Sequence, residues 1–233
     1  MLTGNVEGSR TARCEACQEM AEWIPMSSEA NMSEAVNGHI YLKEDVDGPQ
    51  ILVQEGRNVC LDLNGHSYTG RTRAIYVYSG HKAAIFDTSA EKTGKLIGRG
   101  WENAVSSGFA GSTLLVEADA ELSIYGGTIT RISEDVVSAK NGGIGIITGR
   151  LNIYDGVLTG GRAEADGGSL YVRYNGSLYM YGGRVDDGVA GASINTSCIL
   201  ANGRVYLSGD ASVAKIRFVA ATNSGAPKIT NWL

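Results

Sequence analysis

From Leu122 the chain alternates apolar and polar positions, Leu122-Ser123-Ile124-Tyr125, and then meets a glycine pair, Gly126–Gly127. The phrase returns as LNIYDGVLT from Leu151 and LYMYGGRVD from Leu178. Looser copies are LDLNGHSYT from Leu61, IFDTSAEKT from Ile85 and VYLSGDASV from Val205. A period of two places successive side chains on opposite faces of a strand, so Leu122 and Ile124 are predicted to point inward and Ser123 and Tyr125 outward. The glycines are expected to end the strand in a turn. A second short apolar run precedes the later copies (STLLVEA, GIGIITG, GSLYVRY, SCILANG), and a third apolar pair follows the glycines, as at Thr128–Ile129 and Val157–Leu158.

Aligned on the first apolar residue, the last three intervals are 29, 27 and 27 residues; the first two are 24 and 37, the longer one containing GRGWENAVSSGFAGS. Self-similarity at a fixed period of this size marks a solenoid or array. Three short strands per roughly 27 residues leave no room for a propeller blade, and the unit lacks the amphipathic helix of a leucine-rich repeat. The expected fold is therefore all-β: a right-handed, single-stranded parallel β-helix of about five to six coils, with like residues stacked in columns. Residues 1–50, with a C-x-x-C and Trp segment, are expected to form a less regular N-terminal cap, with room for a short helix in CQEMAEWIPM or EANMSEAV. Residues 51–233 are expected to form the β-helix, the whole being one structural domain. The tail GAPKITNWL can cover the other end through Trp232 and Leu233.

Composition sharpens this picture. Glycine is abundant (32 residues) and proline scarce (3), which fits many tight corners and few helices. A net charge of -5 without a basic cluster excludes a nucleic-acid partner, because phosphates demand Lys and Arg patches. No apolar run reaches the length of about 18 residues needed to span a membrane. The opening MLTGNVEGSR lacks the apolar core of a signal peptide, so the chain reads either as a mature fragment with an added Met or as a protein not exported by that route. The cysteines are Cys14, Cys17, Cys60 and Cys198, and the histidines His39, His66 and His81. A zinc site wants four ligands, and no histidine lies at knuckle spacing from the Cys14–Cys17 pair. A local disulfide, free thiols and half of a metal site all remain open for that pair.

The run CEACQEMAEWIPM, then GHIYLKEDV, NVCLDLNGHSYTG, the IYGGTIT repeats and DGGSLYV, resembles a large group of Gram-positive gut bacterial surface proteins. In that group a C-x-x-C and Trp segment precedes phrases of the type G-H-Y-Y-L and L-C-L-N-G-H, and coils reading M-Y-G-G-T-I-T-G-N. The match covers nearly the whole chain, with Cys60, Leu61, Asn64, Gly65 and His66 in the matching phrase. Arg131–Ile132 and Gly160–Gly161 stand where the group has its T-G-N corner. The resemblance implies a β-helix similar in fold to pectate lyases and an extracellular or cell-surface location. It does not fix an activity.

Tyr125, Tyr154 and Tyr181 share one outward phase and should stack, either as a structural ladder or as a platform for sugar rings. Acidic residues follow the strand in successive coils: Glu134 and Asp135, Glu164 and Asp166, Asp186 and Asp187. They read as solvated corners, as paired carboxylates for glycoside hydrolysis, or as a calcium cluster. Arg173 and Arg184 can neutralise an acidic sugar or pair with those acids. Trp101 and Phe109 anchor the inserted loop, for binding or as a lid. The motifs of polygalacturonases and a Ser–His–Asp arrangement are both absent. The expected function is a non-catalytic, adhesin-like module for a glycan or a host or partner protein. The alternatives are a small carbohydrate-active enzyme (glycoside hydrolase or polysaccharide lyase) and a self-assembling or phage-type structural component. No cofactor is required, with calcium at the acidic corners and zinc at Cys14 and Cys17 as options.

Overall fold

A computed structural model of the chain describes residues 8–26, 38–100, 111–132, 139–186, 188–190, 198–219 and 229–231. Every regular element among them is a strand, and all but one of the strand pairings are parallel. The strands form a 15-stranded sheet, a 7-stranded sheet and a 3-stranded sheet. The chain visits these in rotation. Leu114–Val116 lies in the second sheet, Glu121–Arg131 in the first and Ala139–Asn141 in the third. Gly145–Ile147 then returns to the second sheet, one strand further on and paired in parallel with Leu114–Val116. The next passage repeats the path: Arg150–Leu158 beside Glu121–Arg131, and Arg162–Asp166 beside Ala139–Asn141.

Each passage buries its inward residues against the passages on either side. Leu122, Leu151, Leu178 and Val205 stand in one column and are fully buried. Ile124, Ile153 and Met180 form the next column. One continuous core runs from Met26 to Val205, each large aliphatic side chain contributing about 1.5–3 kcal/mol by leaving water. Outward Ser123 is also buried, because Asn152 of the next passage donates to its hydroxyl at 3.1 Å and to Glu121 at 2.9 Å.

The repeat alignment needs two corrections. Ala83, not Ile85, pairs with Leu122, and Ile85 pairs with Ile124; Val59 and Leu61 precede them in the same two columns. The two-residue slip in the early copies leaves the inward face unchanged, so the hydrophobic pattern could not reveal it. Nor do the glycines end every strand: Ser177–Met180 stops before Gly182–Gly183 as expected, but the strands from Glu121 and Arg150 run on. Glu121–Arg131 runs through Gly126–Gly127 with register shifts on both sides of Tyr125. Gly127 has φ 84°, and a Cβ there would sit 2.7 Å from Leu63 Cδ1, so only glycine lets the strand bend at this point.

The matching phrase around Leu61–His66 is a corner held by aspartates. Asp62, fully buried, accepts hydrogen bonds from the backbone of Asn64 (3.0 Å) and Thr88 (2.9 Å) and pairs with Arg10 at 2.5 Å. Asn64 adopts φ 49° and donates to Leu42 O at 2.9 Å. One passage later, Asp87 accepts from the backbone of Gly65 (2.9 Å) and Gly94 (2.7 Å).

The short helix for which CQEMAEWIPM had room is not formed: Glu19–Met26 is a strand, paired in parallel with Gly38–Leu42 in the first sheet. Arg10–Cys14 pairs with it antiparallel, making a hairpin. EANMSEAV, Trp232 and Leu233 lie outside the described residues, while Ile229–Asn231 adds a further parallel strand beside Arg204–Leu207. The second sheet begins at Ile51, while the first already includes Gly38–Leu42 and Val46–Gly48.

Candidate functional site

The outward face of the first sheet carries an aromatic column. Phe86 stacks on Tyr125 at 4.8 Å between ring centroids, Tyr125 on Tyr154 at 4.6 Å and Tyr154 on Tyr181 at 4.9 Å, all within 12° of parallel. These spacings equal the distance between neighbouring strands, about 4.7–4.9 Å, so the backbone repeat sets the stacking. Trp23 closes the column edge-on, 5.7 Å from Phe86. The three tyrosines expected to stack therefore do, and the column extends to Phe86 and Trp23. The inner rings have both faces covered and present edges and hydroxyls. Burial, reinforced by Tyr154, pushes the Tyr125 phenol up to about 12; Tyr154 is raised too, by burial and then by Tyr181.

Tyr181 ends the column, 46% exposed, with no further ring stacked on it among the described residues. A hollow of about 510 Å³ opens beside it, lined by Tyr179, Met180, Tyr181, Tyr206, Leu207 and Ser208. A second aromatic pair flanks it: Tyr179 stacks on Tyr206 at 4.4 Å, and the Arg150 guanidinium lies 4.8 Å from the Tyr179 ring centre. Two further hollows lie among the described residues. One, about 320 Å³, is bordered by Cys17, Cys60, Lys82, Glu121, Tyr125 and Tyr154. The other, about 340 Å³, lies between Arg73, Tyr76 and Glu117. Each contains at most one carboxylate in its lining: Glu121, Glu117, and none in the hollow at Tyr181.

Beside the first of these hollows, four ligand-type side chains converge. Cys14 ends the strand Arg10–Cys14, Cys17 sits in the hairpin turn, His39 is on Gly38–Leu42 and Cys60 on Val59–Asp62. The turn is closed by Gln18 N donating to Cys14 O at 2.8 Å, with Gln18 at φ 60°. Parallel pairing sets His39 beside Cys60. The Cys14 and Cys60 sulfurs are 3.5 Å apart, those of Cys17 and Cys60 3.7 Å, and Cys17 Sγ is 3.5 Å from His39 Nε2. All four donor atoms lie within 4.8 Å of one another, so the group can hold a metal ion. Cys14 and Cys60 are buried, Cys17 exposed. Burial raises the Cys60 and Cys17 thiols and lowers the His39 imidazole. Trp23 packs edge-on against the His39 ring at 5.0 Å and fixes its orientation.

Spacing from the C-x-x-C pair directed attention away from His39 and Cys60, because knuckle distances are a local criterion. His39 follows Cys17 by 22 positions and Cys60 by 43, close to one and two turns of the repeat, and that interval is the signal that finds them. The other histidines are elsewhere: His66 faces Asp45 at 3.7 Å, and His81 accepts from Gly56 N at 3.0 Å.

The remaining candidates divide. Glu134, Asp135, Asp187, Trp101 and Phe109 lie outside the described residues, and of Asp166 only the backbone is described. Glu164 is exposed on Arg162–Asp166. Asp186 and Arg184 pair with each other at 2.8 Å, so the arginine meets a neighbouring acid. Arg173 lies in the turn after Leu170–Val172, its backbone N–H donating to Ile147 O at 2.8 Å. Among the described residues no helix is long and apolar enough to cross a membrane. No protein-family model matches the chain, and no match is found among curated proteins or solved structures.

Proposed function

We propose that the chain is a right-handed parallel β-helix acting as a non-catalytic, adhesin-like binding module of an extracellular or cell-surface protein, with a glycan as its ligand. The observation that carries this reading is the end of the aromatic column. Tyr181 is half exposed over an open hollow with Tyr206 on its wall. A sugar ring offers one apolar face of C–H groups and a rim of hydroxyls. An aromatic face flanked by phenol hydroxyls and backbone carbonyls complements both, as small-molecule sites with few placed polar groups do. Tyr125 and Tyr154 are the ladder that positions Tyr181, since their own faces are taken.

Catalysis is the second reading: glycoside cleavage needs two carboxylates flanking the scissile bond, and the three hollows among the described residues each have at most one in their lining. The test is a glycan array probed with the whole chain, followed by calorimetry on the strongest hit. Tyr181→Ala and Tyr206→Ala should each weaken binding about tenfold or more, a loss of ~1.4 kcal/mol. Absence of any glycan bound, or binding by both variants as tight as that of the unaltered chain, would remove the glycan. Turnover of a polysaccharide would instead establish the enzyme.

A further inference from the structure

We infer that Cys14, Cys17, His39 and Cys60 form a structural zinc site that clamps the N-terminal hairpin onto the outer face of the first sheet. The inference is independent of the ligand proposed above.

Donor-atom geometry is its main support. A tetrahedral zinc ion with Zn–S bonds of about 2.3 Å and a Zn–N bond of about 2.0–2.1 Å has sulfur–sulfur edges of about 3.8 Å and sulfur–nitrogen edges of about 3.6 Å. The observed separations are 3.5 and 3.7 Å between sulfurs and 3.5 Å between Cys17 Sγ and His39 Nε2. Three of the six edges thus match such a tetrahedron, and all four donor atoms lie within 4.8 Å of one another.

Ordinary packing accounts for only part of the cluster. Cys14 and Cys60 belong to a small second core with Trp23, Tyr41, Ala84 and Phe86, where a thiol is simply a small hydrophobe. Cys17 is exposed and gains nothing from that core, yet its sulfur meets both Cys60 and the ring nitrogen of His39. Three sulfurs and an imidazole nitrogen converging from three segments, the hairpin, Gly38–Leu42 and Val59–Asp62, make a donor set, one soft enough to select zinc over calcium or magnesium. Four protein ligands leave no open position, which makes the site structural rather than catalytic. On binding, the three thiols each lose a proton to solvent, and three thiolates with one Zn(II) leave the centre at net charge -1.

The clamp has a mechanical consequence. The hairpin strand Arg10–Cys14 already crosses the outer face of the sheet through the Arg10–Asp62 ion pair and the Arg10 guanidinium 4.3 Å from the Tyr41 ring centre. The metal would tie its other end, so that both ends of the strand are fastened to the neighbouring passages.

The whole chain, purified under reducing conditions, should carry one zinc per molecule by elemental analysis. X-ray absorption at the zinc edge should show three sulfurs at about 2.3 Å and one nitrogen at about 2.0–2.1 Å. After chelation, cobalt should restore a tetrahedral thiolate spectrum. Cys17→Ser, at an exposed position, should keep the far-UV circular dichroism while weakening zinc binding by at least about 100-fold, the upper end of what losing a ligand's supporting partner costs. Cys198→Ala, remote from the cluster, should leave the metal content unchanged. Reduced protein that takes up no zinc overturns the inference, as do zinc bound through light ligands only and undiminished binding by Cys17→Ser. A Cys14–Cys60 or Cys17–Cys60 disulfide that, once reduced, still yields no metal uptake overturns it as well. The absorption measurement on the unaltered chain decides the matter even where a variant fails to fold.

Discussion

Asp87 shows how one side chain sets a corner. Burial alone would push its carboxyl up. Hydrogen bonds from the Ser89 hydroxyl and from the backbone of Gly94, Gly65 and Ser89 outweigh that and hold it below the ordinary 3.8. Because the folded value is depressed, the stabilisation is complete above about pH 4 and is lost as pH falls through the folded value. Between neutral pH and acid, wild type should therefore lose more stability than Asp87→Asn, which has no carboxyl to titrate at this position, in denaturant titrations followed by circular dichroism at each pH. At neutral pH, Asp87→Asn replaces an acceptor by a donor against the Gly65 or Gly94 N–H, and should cost about 1–3 kcal/mol in denaturant titrations. The aspartates were not legible as structural from sequence. In LDLNGH the eye falls on Asn64 and His66, and only the pairing of successive passages shows which backbone N–H groups Asp62 and Asp87 serve.

At the scale of the element, the later strands were legible and the earlier ones less so. Leu122, Leu151, Leu178 and Val205 align because each precedes a Tyr or Ser by three positions, with a glycine just beyond. The early copies lack that landmark, and a two-residue slip costs nothing in hydrophobic pattern, so Ile85 was set against Leu122 in place of Ala83. The Glu19–Met26 strand escaped because a short element with one polar face can carry helical periodicity as well. The metal-type cluster escaped for a related reason: its members meet only through strand pairing, which local spacing does not encode. Two outcomes belong here. Tyr154→Ala removes a ring stacked on both sides and should destabilise the fold by roughly 1–3 kcal/mol in chemical denaturation, at about 0.5–1.5 per stacked pair. In an alkaline absorbance titration one tyrosine, Tyr125, should ionise near pH 12 and not near 10. Its folded value is raised, so the chain should lose stability as pH climbs from 10 towards 12.

The whole molecule is quasi-one-dimensional in its pairing, each passage touching its neighbours, yet its core is a single cluster from Met26 to Val205. Repeat arrays of this kind derive their cooperativity from interfaces between units. Leu151→Ala, in the middle of the inner column, should cost about 2–5 kcal/mol. It should also lower hydrogen-exchange protection in strands on both sides, Glu121–Arg131 and Ser177–Met180 alike. Loss confined to Arg150–Leu158 would show that the passages unfold independently. The general architecture was open to reading at this scale because the repeat writes the same instruction several times. The binding surface was not, because the end of a column is a position in space and has no motif of its own.

The aromatic column has one further property. Rings held parallel at 4.6 to 4.9 Å lie near enough for their electronic transitions to mix, so light absorbed by one tyrosine is shared along the row. The near-ultraviolet dichroism of the chain should then carry an exciton signature that no isolated tyrosine gives. That signature reports register directly: a slip of a single strand would extinguish it while most of the backbone signal survived.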